Sequence, residues 1–237
     1  MVRVMRIAAL VLAAGRGERM RSALPKAFVP LAGRTLLARS LAAMACVPEI
    51  DLVVPVVAAD ALERFAALAP ERAGIAKLGA AVAGGRERQD SMAAGLAALP
   101  PDVGFVAVHD AARPLVRAAD VTRVVAAARE TGAALLVTPV TDTVKRVRGG
   151  LVVETPERSE CFAAQTPQVF RLDLLREALA KARAEGVVAT DDAQLVERLG
   201  GAVRAVEGDP TNRKITRPAD LAWAELELAR RAAEEAA

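Results

Sequence analysis

From Ile7 to Ala14 the chain is apolar without interruption, and glycines stand directly behind that run at Gly15 and Gly17. An apolar stretch with no polar alternation predicts a strand covered on both faces, the setting of a parallel sheet. Parallel strands cannot be joined by tight turns, so this one stretch already demands crossover helices above and below a sheet. The rest of the chain supplies them. Helical patterns over 35–44, 59–68, 91–99, 119–130 and 172–184 alternate with strand-like runs at 51–57, 80–83, 103–108, 133–140 and 202–206. A capped short helix follows Thr190-Asp191-Asp192, and an Ala/Leu/Glu helix closes the chain. This order predicts the α/β class: a mostly parallel, twisted sheet with helices on both faces. At 237 residues the chain fits one such domain, or a domain with an appendage.

A buried strand that empties into glycines and cations reads as a phosphate cradle. Glycine lets backbone N–H groups approach an anion, and Arg16, Arg19, Arg21 and Lys26 are at hand to neutralise it. Two well-known versions of such a loop fail here. A dinucleotide-binding loop needs a third glycine where this chain has Met20, and an acidic residue further on, but after Glu18 the next acid is Glu49. A Walker A loop needs Gly-Lys-Ser/Thr where this chain has Met20-Arg21-Ser22. What is left is a loop whose Arg19 and Lys26 can pinch a polyphosphate. The plain alternative is a strand-to-helix turn with solvated charges.

Other candidates fall at strand ends. His109-Asp110 closes the 103–108 strand, the edge where open α/β sheets take ligands, and a carboxylate there can share Mg²⁺ with substrate phosphates. Asp110 is the metal candidate and Asp209 a weaker second. His109 is expected to pack and hydrogen-bond rather than catalyse. Arg113 can reach an anionic substrate, and Lys214 aims a further cation at the same sheet edge. Gly84-Gly85, followed by Arg88 and Ser91, forms a second glycine turn, and Gln165-Thr166-Pro167-Gln168 reads as a polar turn.

Composition closes several other routes. One histidine excludes a His-rich metal site or a multi-histidine relay. Aromatics are 3% of residues and the net charge is +3, which leaves neither stacking platforms nor a basic field for nucleic acid. No apolar run approaches the roughly 20 residues that span a bilayer, and no secretory cleavage site precedes the first strand. Cys46 and Cys161 have no metal-ligand or redox spacing, which points to the reducing cytoplasm.

One segment departs from the rest. Alanine is abundant in this chain yet absent between Leu135 and Phe162. Residues 141–160 are instead rich in Thr, Val and charge around Gly149-Gly150, which predicts a protruding β-hairpin arm. A two-stranded ribbon is marginal alone in water, so it must lean on something, either a second subunit or its own domain.

The chemistry-bearing stretches occur in a recognisable order: Leu12-Ala-Ala-Gly-Arg-Gly-Glu-Arg-Met20, Pro25-Lys26, Gly84-Gly-x-x-Arg88-x-x-Ser91, Val108-His-Asp-Ala-Ala-Arg-Pro114, Asp142-Thr143, Gln165-Thr-Pro-Gln168 and Asn212-x-Lys-Ile-Thr216. Together they resemble the 2-C-methyl-D-erythritol 4-phosphate cytidylyltransferase family over nearly the whole chain. The resemblance implies a single Rossmann-like nucleotidyltransferase domain over 1–237, with 141–160 as a dimerisation arm and no fused cyclodiphosphate synthase. It implies transfer of CMP from CTP to 2-C-methyl-D-erythritol 4-phosphate, with release of pyrophosphate, in the non-mevalonate route to isoprenoids. Mg²⁺ or another divalent cation on Asp110 is the implied cofactor.

By the same resemblance Arg19, Lys26, Arg158 and Lys214 are catalytic. Ala13, Ala14, Gly15, Gly17, Gly84, Gly85, Ser91, Asp110 and Ala111 hold CTP. Arg113, Thr143, Arg158, Thr166 and Lys214 take the erythritol phosphate, with Thr143 and Arg158 reaching the neighbouring subunit of a homodimer. The sequence departs from the expected pattern at Glu157, where aspartate is usual, and at Arg213, a usually apolar position where the arginine is expected to add a cation near the site. Rival readings are a cytidylyltransferase for another polyol phosphate such as ribitol 5-phosphate, a non-catalytic nucleotide-binding domain and, disfavoured by Met20, an NAD-dependent oxidoreductase.

Overall fold

The computed structural model describes residues 5–15, 17–20, 22 and 24–235. The chain opens with β1 (Arg6–Ala13), a small hairpin of β2 (Pro30–Leu31) and β3 (Arg34–Thr35), and α1 (Leu36–Ala45). β4 (Leu52–Val57), the short helices α2 (Leu62–Ala67) and α3 (Ala69–Arg72), β5 (Val82–Ala83) and α4 (Arg88–Ala97) follow. Next come β6 (Val103–Asp110), α5 (Ala118–Thr131), β7 (Ala133–Pro139) and a hairpin of β8 (Arg146–Arg148) and β9 (Leu151–Glu154). The chain ends with β10 (Phe162–Arg171), α6 (Leu172–Ala184), α7 (Ala193–Arg198), β11 (Arg204–Glu207) and α8 (Pro218–Glu235).

Seven strands make one sheet in the order β11-β7-β10-β6-β1-β4-β5. All neighbours are parallel except β10, which runs antiparallel between β6 and β7. β1 behaves as its sequence demands, with Ile7 to Val11 at 0% exposure. Its alternate residues feed two cores. Ile7, Ala9 and Val11 pack with Leu37 and Leu41 of α1 and Val121, Val124 and Val125 of α5. Ala8, Leu10 and Leu12 pack with Met92 and Leu96 of α4 and with Leu175 and Leu179 of α6. Burying one such leucine contributes about 1.5–3 kcal/mol, so a strand shared by two layers locks its register from both sides.

Local chemistry sets the helix ends. The Thr35 hydroxyl accepts the Ala38 N–H and starts α1. Gly132, at φ 85, ends α5 in the left-handed conformation that glycine adopts without strain. α4 begins at Arg88 rather than near Ser91, because the Asp90 carboxylate accepts the Glu87 N–H and supports an earlier first turn. The helix expected over 59–68 is instead a 3-10 turn, Ala59–Ala61, and α2, with α3 starting afresh next to Pro70.

The largest correction concerns Gln165-Thr166-Pro167-Gln168. These residues are not a surface turn but the buried middle of β10, with Gln165, Thr166 and Gln168 at 3%, 5% and 1% exposure. The ladder with β7 breaks between Ala164 and Gln168, around the cis Thr166–Pro167 bond. Buried polar side chains are tolerated only when hydrogen-bonded, and here they are. Gln165 Oε1 accepts from Asn212 Nδ2 at 2.9 Å, and Gln168 Oε1 accepts from the N–H groups of Asp192 and Ala193 at 3.0 and 2.9 Å.

The β8–β9 hairpin forms as expected, as a two-stranded sheet of its own with Gly149 and Gly150 at φ 56 and 80. Every residue of both strands is exposed, including Val147, Leu151, Val152 and Val153. The arm therefore does not fold back on its own domain.

Candidate active site

In this sheet the chain leaves β1 on one side for β4 and β5, and returns on the other side at β6. The carboxyl ends of β1 and β6 thus flank a topological switch point, where the connecting loops diverge and leave a crevice. A cleft lies there, lined by Leu12 to Gly15 from β1 and its loop, Lys26 and Ala27, Gly85 to Arg88 and Ser91, Asp110 to Ala112, and Lys214.

Two glycine turns shape its walls. A Cβ on Gly17 would stand 2.3 Å from the Lys26 Cβ, so the missing side chain lets the loop close over the lysine stem. A Cβ on Gly84 would meet Ala14 Cβ at 2.6 Å and Ser91 Oγ at 2.8 Å. Ser91, at 3% exposure, fastens this second turn, its Oγ accepting the Gly85 N–H at 3.2 Å and donating to the Glu87 carbonyl at 3.2 Å.

The charges are arranged around Asp110. Lys214 Nζ lies 2.7 Å from its Oδ2 and Arg88 Nε 3.3 Å from its Oδ1. Burial by itself would raise this carboxyl, but Arg88 and Lys214 outweigh it and hold Asp110 well below the usual carboxylate range. Lys26 is lowered to about 8, first by burial and then by the positive charge of Lys214. Arg88 also reaches Asp192, with Nη1 2.5 Å from Oδ1. Burial pushes the Asp192 carboxyl upward.

His109 is fully buried and its ring is committed on both sides. Nε2 faces the Arg113 carbonyl at 3.1 Å, and a carbonyl only accepts, so Nε2 carries the proton. Nδ1 then accepts from the Thr166 hydroxyl at 3.1 Å, while Thr166 Oγ1 accepts the Asp110 N–H at 3.0 Å. Burial lowers the imidazole to about 4. The histidine packs and positions, as its sequence context suggests.

Of the expected residues, Ala13, Ala14, Gly15, Lys26, Gly85, Ser91, Asp110, Ala111 and Lys214 line the cleft together. Gly17 and Gly84 stand directly behind it, against Lys26 and Ser91. Thr166 is buried beneath Asp110 rather than on the lining. Arg113 gives Nη1 to the Asn212 carbonyl at 2.7 Å and Nη2 to the Ala164 carbonyl at 3.1 Å, tying the β6 loop to the Lys214 loop and to β10. Arg19 is exposed in a 3-10 turn, Glu18–Met20, beside the glycine loop. Arg16 and Arg21 lie outside the described residues.

Thr143 and Arg158 are exposed at the base of the arm and do not line the cleft of their own chain. Glu157, the departure noted above, accepts the Ser159 N–H and caps the 3-10 turn that carries Arg158.

Two expectations are corrected. Asp209 is not a partner of Asp110: its Oδ1 accepts from the Thr211 N–H at 2.7 Å, its Oδ2 pairs with Arg117, and it lies in a separate surface depression near α5. Arg213 does not add a cation to the cleft, since its guanidinium stacks 4.6 Å from the Trp223 ring of α8. Sequence reasoning also missed Asp192, which it read only as part of a helix cap. Its partner Arg88 lies 104 residues away, and only the fold brings them together.

Among the described residues no cluster of three or more Asp, Glu, His or Cys side chains stands ready to hold a metal. A divalent cation in the cleft would have Asp110 as its protein ligand. Each Asp110 oxygen accepts from one cation and keeps a second lone pair, and a single carboxylate completed by phosphate oxygens and water is the usual Mg²⁺ arrangement. The donor set fits.

Comparison with known proteins places this cleft in context. The family model described as 2-C-methyl-D-erythritol 4-phosphate cytidylyltransferase matches residues 7–230. The chain is 47% identical to the protein of that name from Pelotomaculum thermopropionicum over 221 residues, 93% of each chain. It is 44% identical to the one from Halalkalibacterium halodurans, covering 95% of this chain and 98% of that one. Among solved structures, the Thermus thermophilus protein of the same name superposes with a TM-score of 0.76 at 38% identity, over 95% of this chain and all of that one. The 4-diphosphocytidyl-2C-methyl-D-erythritol synthase from Anaerococcus prevotii gives 0.84 at 30% identity, over 95% and 96% of the two chains.

Proposed function

Because the chain belongs to the 2-C-methyl-D-erythritol 4-phosphate cytidylyltransferase family, we propose that the cleft between the ends of β1 and β6 is where it performs that family's reaction. The enzyme transfers CMP from CTP to 2-C-methyl-D-erythritol 4-phosphate, giving 4-diphosphocytidyl-2-C-methyl-D-erythritol and pyrophosphate, a step of isoprenoid biosynthesis. The convergence of Lys26, Lys214, Arg88 and Asp110 on one glycine-walled cleft is the observation that carries the residue assignments.

A phosphate oxygen of the erythritol phosphate attacks the α-phosphorus of CTP in line. The new P–O bond forms as the bond to the bridging oxygen breaks, and that oxygen leaves with pyrophosphate. A phosphomonoester is already an anion, so no general base is needed, and the neutral, doubly bonded His109 is not asked to serve as one. Catalysis then rests on positioning and on charge placed where charge develops. Lys26, half-buried behind Gly17, meets the α- and β-phosphates together with Arg19. Ala13 to Gly15, Gly85 and Ser91 hold the cytosine and ribose, with Gly84 and Gly85 leaving backbone where a purine would need room. Lys214, next to Asp110, aligns the acceptor phosphate, and Arg113 and Thr166 brace the loops around it.

Asp110 would hold Mg²⁺ or another divalent cation, which when bound neutralises charge on the phosphate oxygens. Thr143 and Arg158 are too exposed to act in their own chain's cleft, and the arm leaves Val147, Leu151, Val152 and Val153 bare. These two facts support a homodimer in which each arm carries Thr143 and Arg158 to the partner's cleft. The single domain over 1–237 with its arm at 141–160 is the matching architecture. Free Cys46 and Cys161 support a cytoplasmic setting. Among the described residues no helix is long and apolar enough to cross a membrane.

The test is pyrophosphate release by purified protein with CTP, Mg²⁺ and either erythritol phosphate or ribitol 5-phosphate. Faster turnover of the erythritol phosphate is expected. Preference for ribitol 5-phosphate would reassign the acceptor, and no release with either would mean a nucleotide-binding domain without chemistry.

A further inference from the structure

Arg88 is the least expected charge in the cleft wall. It occupies the first turn of α4, where the helix dipole opposes a cation, and it is held there by two carboxylates on other elements. Nη1 pairs with Asp192 at 2.5 Å and Nε with Asp110 at 3.3 Å. The shorter contact is to the residue farther from the cleft.

Asp192 is built in with care. Its side chain is 2% exposed, and its Oδ2 has no hydrogen-bond partner among the described residues, so Arg88 is the group that offsets its desolvation. Its backbone is clamped by Gln168, which is 1% exposed on β10 opposite Val108 of β6. Gln168 Oε1 accepts the N–H groups of Asp192 and Ala193, and Gln168 Nε2 donates to Asp191 Oδ2 at 2.9 Å. Asp110 ends β6, and Gln168 lies on the adjoining strand. The chain Asp110–Arg88–Asp192–Gln168 is therefore anchored at both ends on neighbouring strands of one sheet.

This arrangement settles how Arg88 meets Asp110. A free guanidinium takes a carboxylate through two parallel N–H groups. With Nη1 drawn to Asp192, the end-on fork of Arg88 is occupied; Asp110 receives a single contact, from Nε, and its Oδ2 is left to Lys214. We propose that Asp192 is a positioning residue for the transfer reaction: it draws Arg88 aside so that Asp110 keeps an edge open to Lys214 and to the bound nucleotide. Without it, Arg88 folds onto Asp110 as a two-point pair, displacing Lys214 and narrowing the triphosphate's place. The inference rests on the reading of the cleft as the CTP site.

The test compares wild type, Asp192→Asn, Arg88→Gln and the double variant. Calorimetry gives the Kd for CTP in Mg²⁺ without acceptor; kcat, KM and the melting temperature are measured alongside. Asp192→Asn is expected to weaken CTP about tenfold, raising Kd and KM together, with kcat at saturating CTP within about threefold of wild type. In the Arg88→Gln background the same substitution should change Kd by less than about twofold, because its effect runs through Arg88. A lower melting temperature with Kd and KM unchanged would reduce Asp192 to a structural residue and overturn the proposal, as would a full tenfold loss persisting in Arg88→Gln. Should Asp192→Asn alone fail to fold, the double variant against Arg88→Gln decides by the same Kd comparison. Wild-type protein that does not bind CTP would overturn the nucleotide reading itself, and this inference with it.

Discussion

The cleft and the arm are both built from glycine turns and charged residues, yet the fold treats them oppositely. Around the cleft, Asp110, Thr166, Gln168, Asp192 and Asn212 are buried at 8% exposure or less, and their contacts tie four segments together. The arm's strands pair only with each other, and their valines and Leu151 face solvent. A side chain held by several mutually dependent contacts is fixed before a ligand arrives. A ribbon with no core beneath it takes its position from whatever it meets. Preorganised charge belongs in the first kind of region and contact with a partner in the second, and the cations proposed as catalytic divide along that line, with Lys26 and Lys214 in the frame and Arg158 on the arm.

That contrast breaks most visibly at Lys26. Lys26→Ala should lower kcat by roughly 10²–10³-fold, or about 2–4 kcal/mol of transition-state stabilisation, with KM for the erythritol phosphate within about threefold. Steady-state kinetics on the folded variant checks this, and equal losses in both constants would make Lys26 a binding residue only.

Mixing Lys26→Ala subunits with Arg158→Ala subunits tests the arm from the other side. If sites are shared, each mixed dimer has one intact site, and random exchange should restore roughly a quarter of wild-type activity from two nearly inactive parents. No recovery after exchange has been verified by mass spectrometry would confine the arm to its own chain.

A smaller effect is expected from pH. The working form of Lys26 is protonated, and in the free enzyme it loses that proton near pH 8. The kcat/KM for CTP should therefore be level below about pH 8 and fall up to about tenfold per unit above it. Lys26→Arg should remove that limb whatever its residual rate. For stability the sign is opposite: a lysine whose folded pKa lies below its unfolded value penalises the folded state below about pH 8, and the penalty fades as pH rises toward 10.5.

The smallest effect should come from the arm, set against a substitution in the core. Leu10→Ala, in the core beneath the cleft, should cost about 2–5 kcal/mol in denaturant unfolding. Leu151→Ser on the arm should cost less than about 0.5 kcal/mol at concentrations where the chain is monomeric. A large loss from Leu151→Ser under those conditions would mean the arm is packed on its own domain after all.

Much of the fold was legible because its signals are local. The β1 run, the Thr35 cap, Gly132 and the Gly149-Gly150 turn each owe their structure to neighbours a few residues away. The elements misread were those whose partners are distant. Residues 165–168 look like a turn because Pro167 cannot donate to a ladder and the two glutamines are polar, and they form a central strand because Asn212, His109 and Asp110 satisfy the polar groups of Gln165 and Thr166. Lys26 and Asp110 were found from the strand ends they follow, whereas Asp192 carries no local mark beyond a helix cap.

By itself, then, the sequence determined the class of fold, the strand ends where ligands are taken and the presence of an arm, which periodicity and turn residues encode, while the order of its motifs carried the resemblance to the family. The tertiary structure decided which charges meet. It placed β10 antiparallel at the centre of the sheet, joined Arg88 to Asp192 across 104 residues, sent Asp209 and Arg213 away from the cleft, and left Arg158 outside it. Those outcomes depend on long-range packing and on the need to satisfy every buried polar group, and no local window of the chain contains both partners.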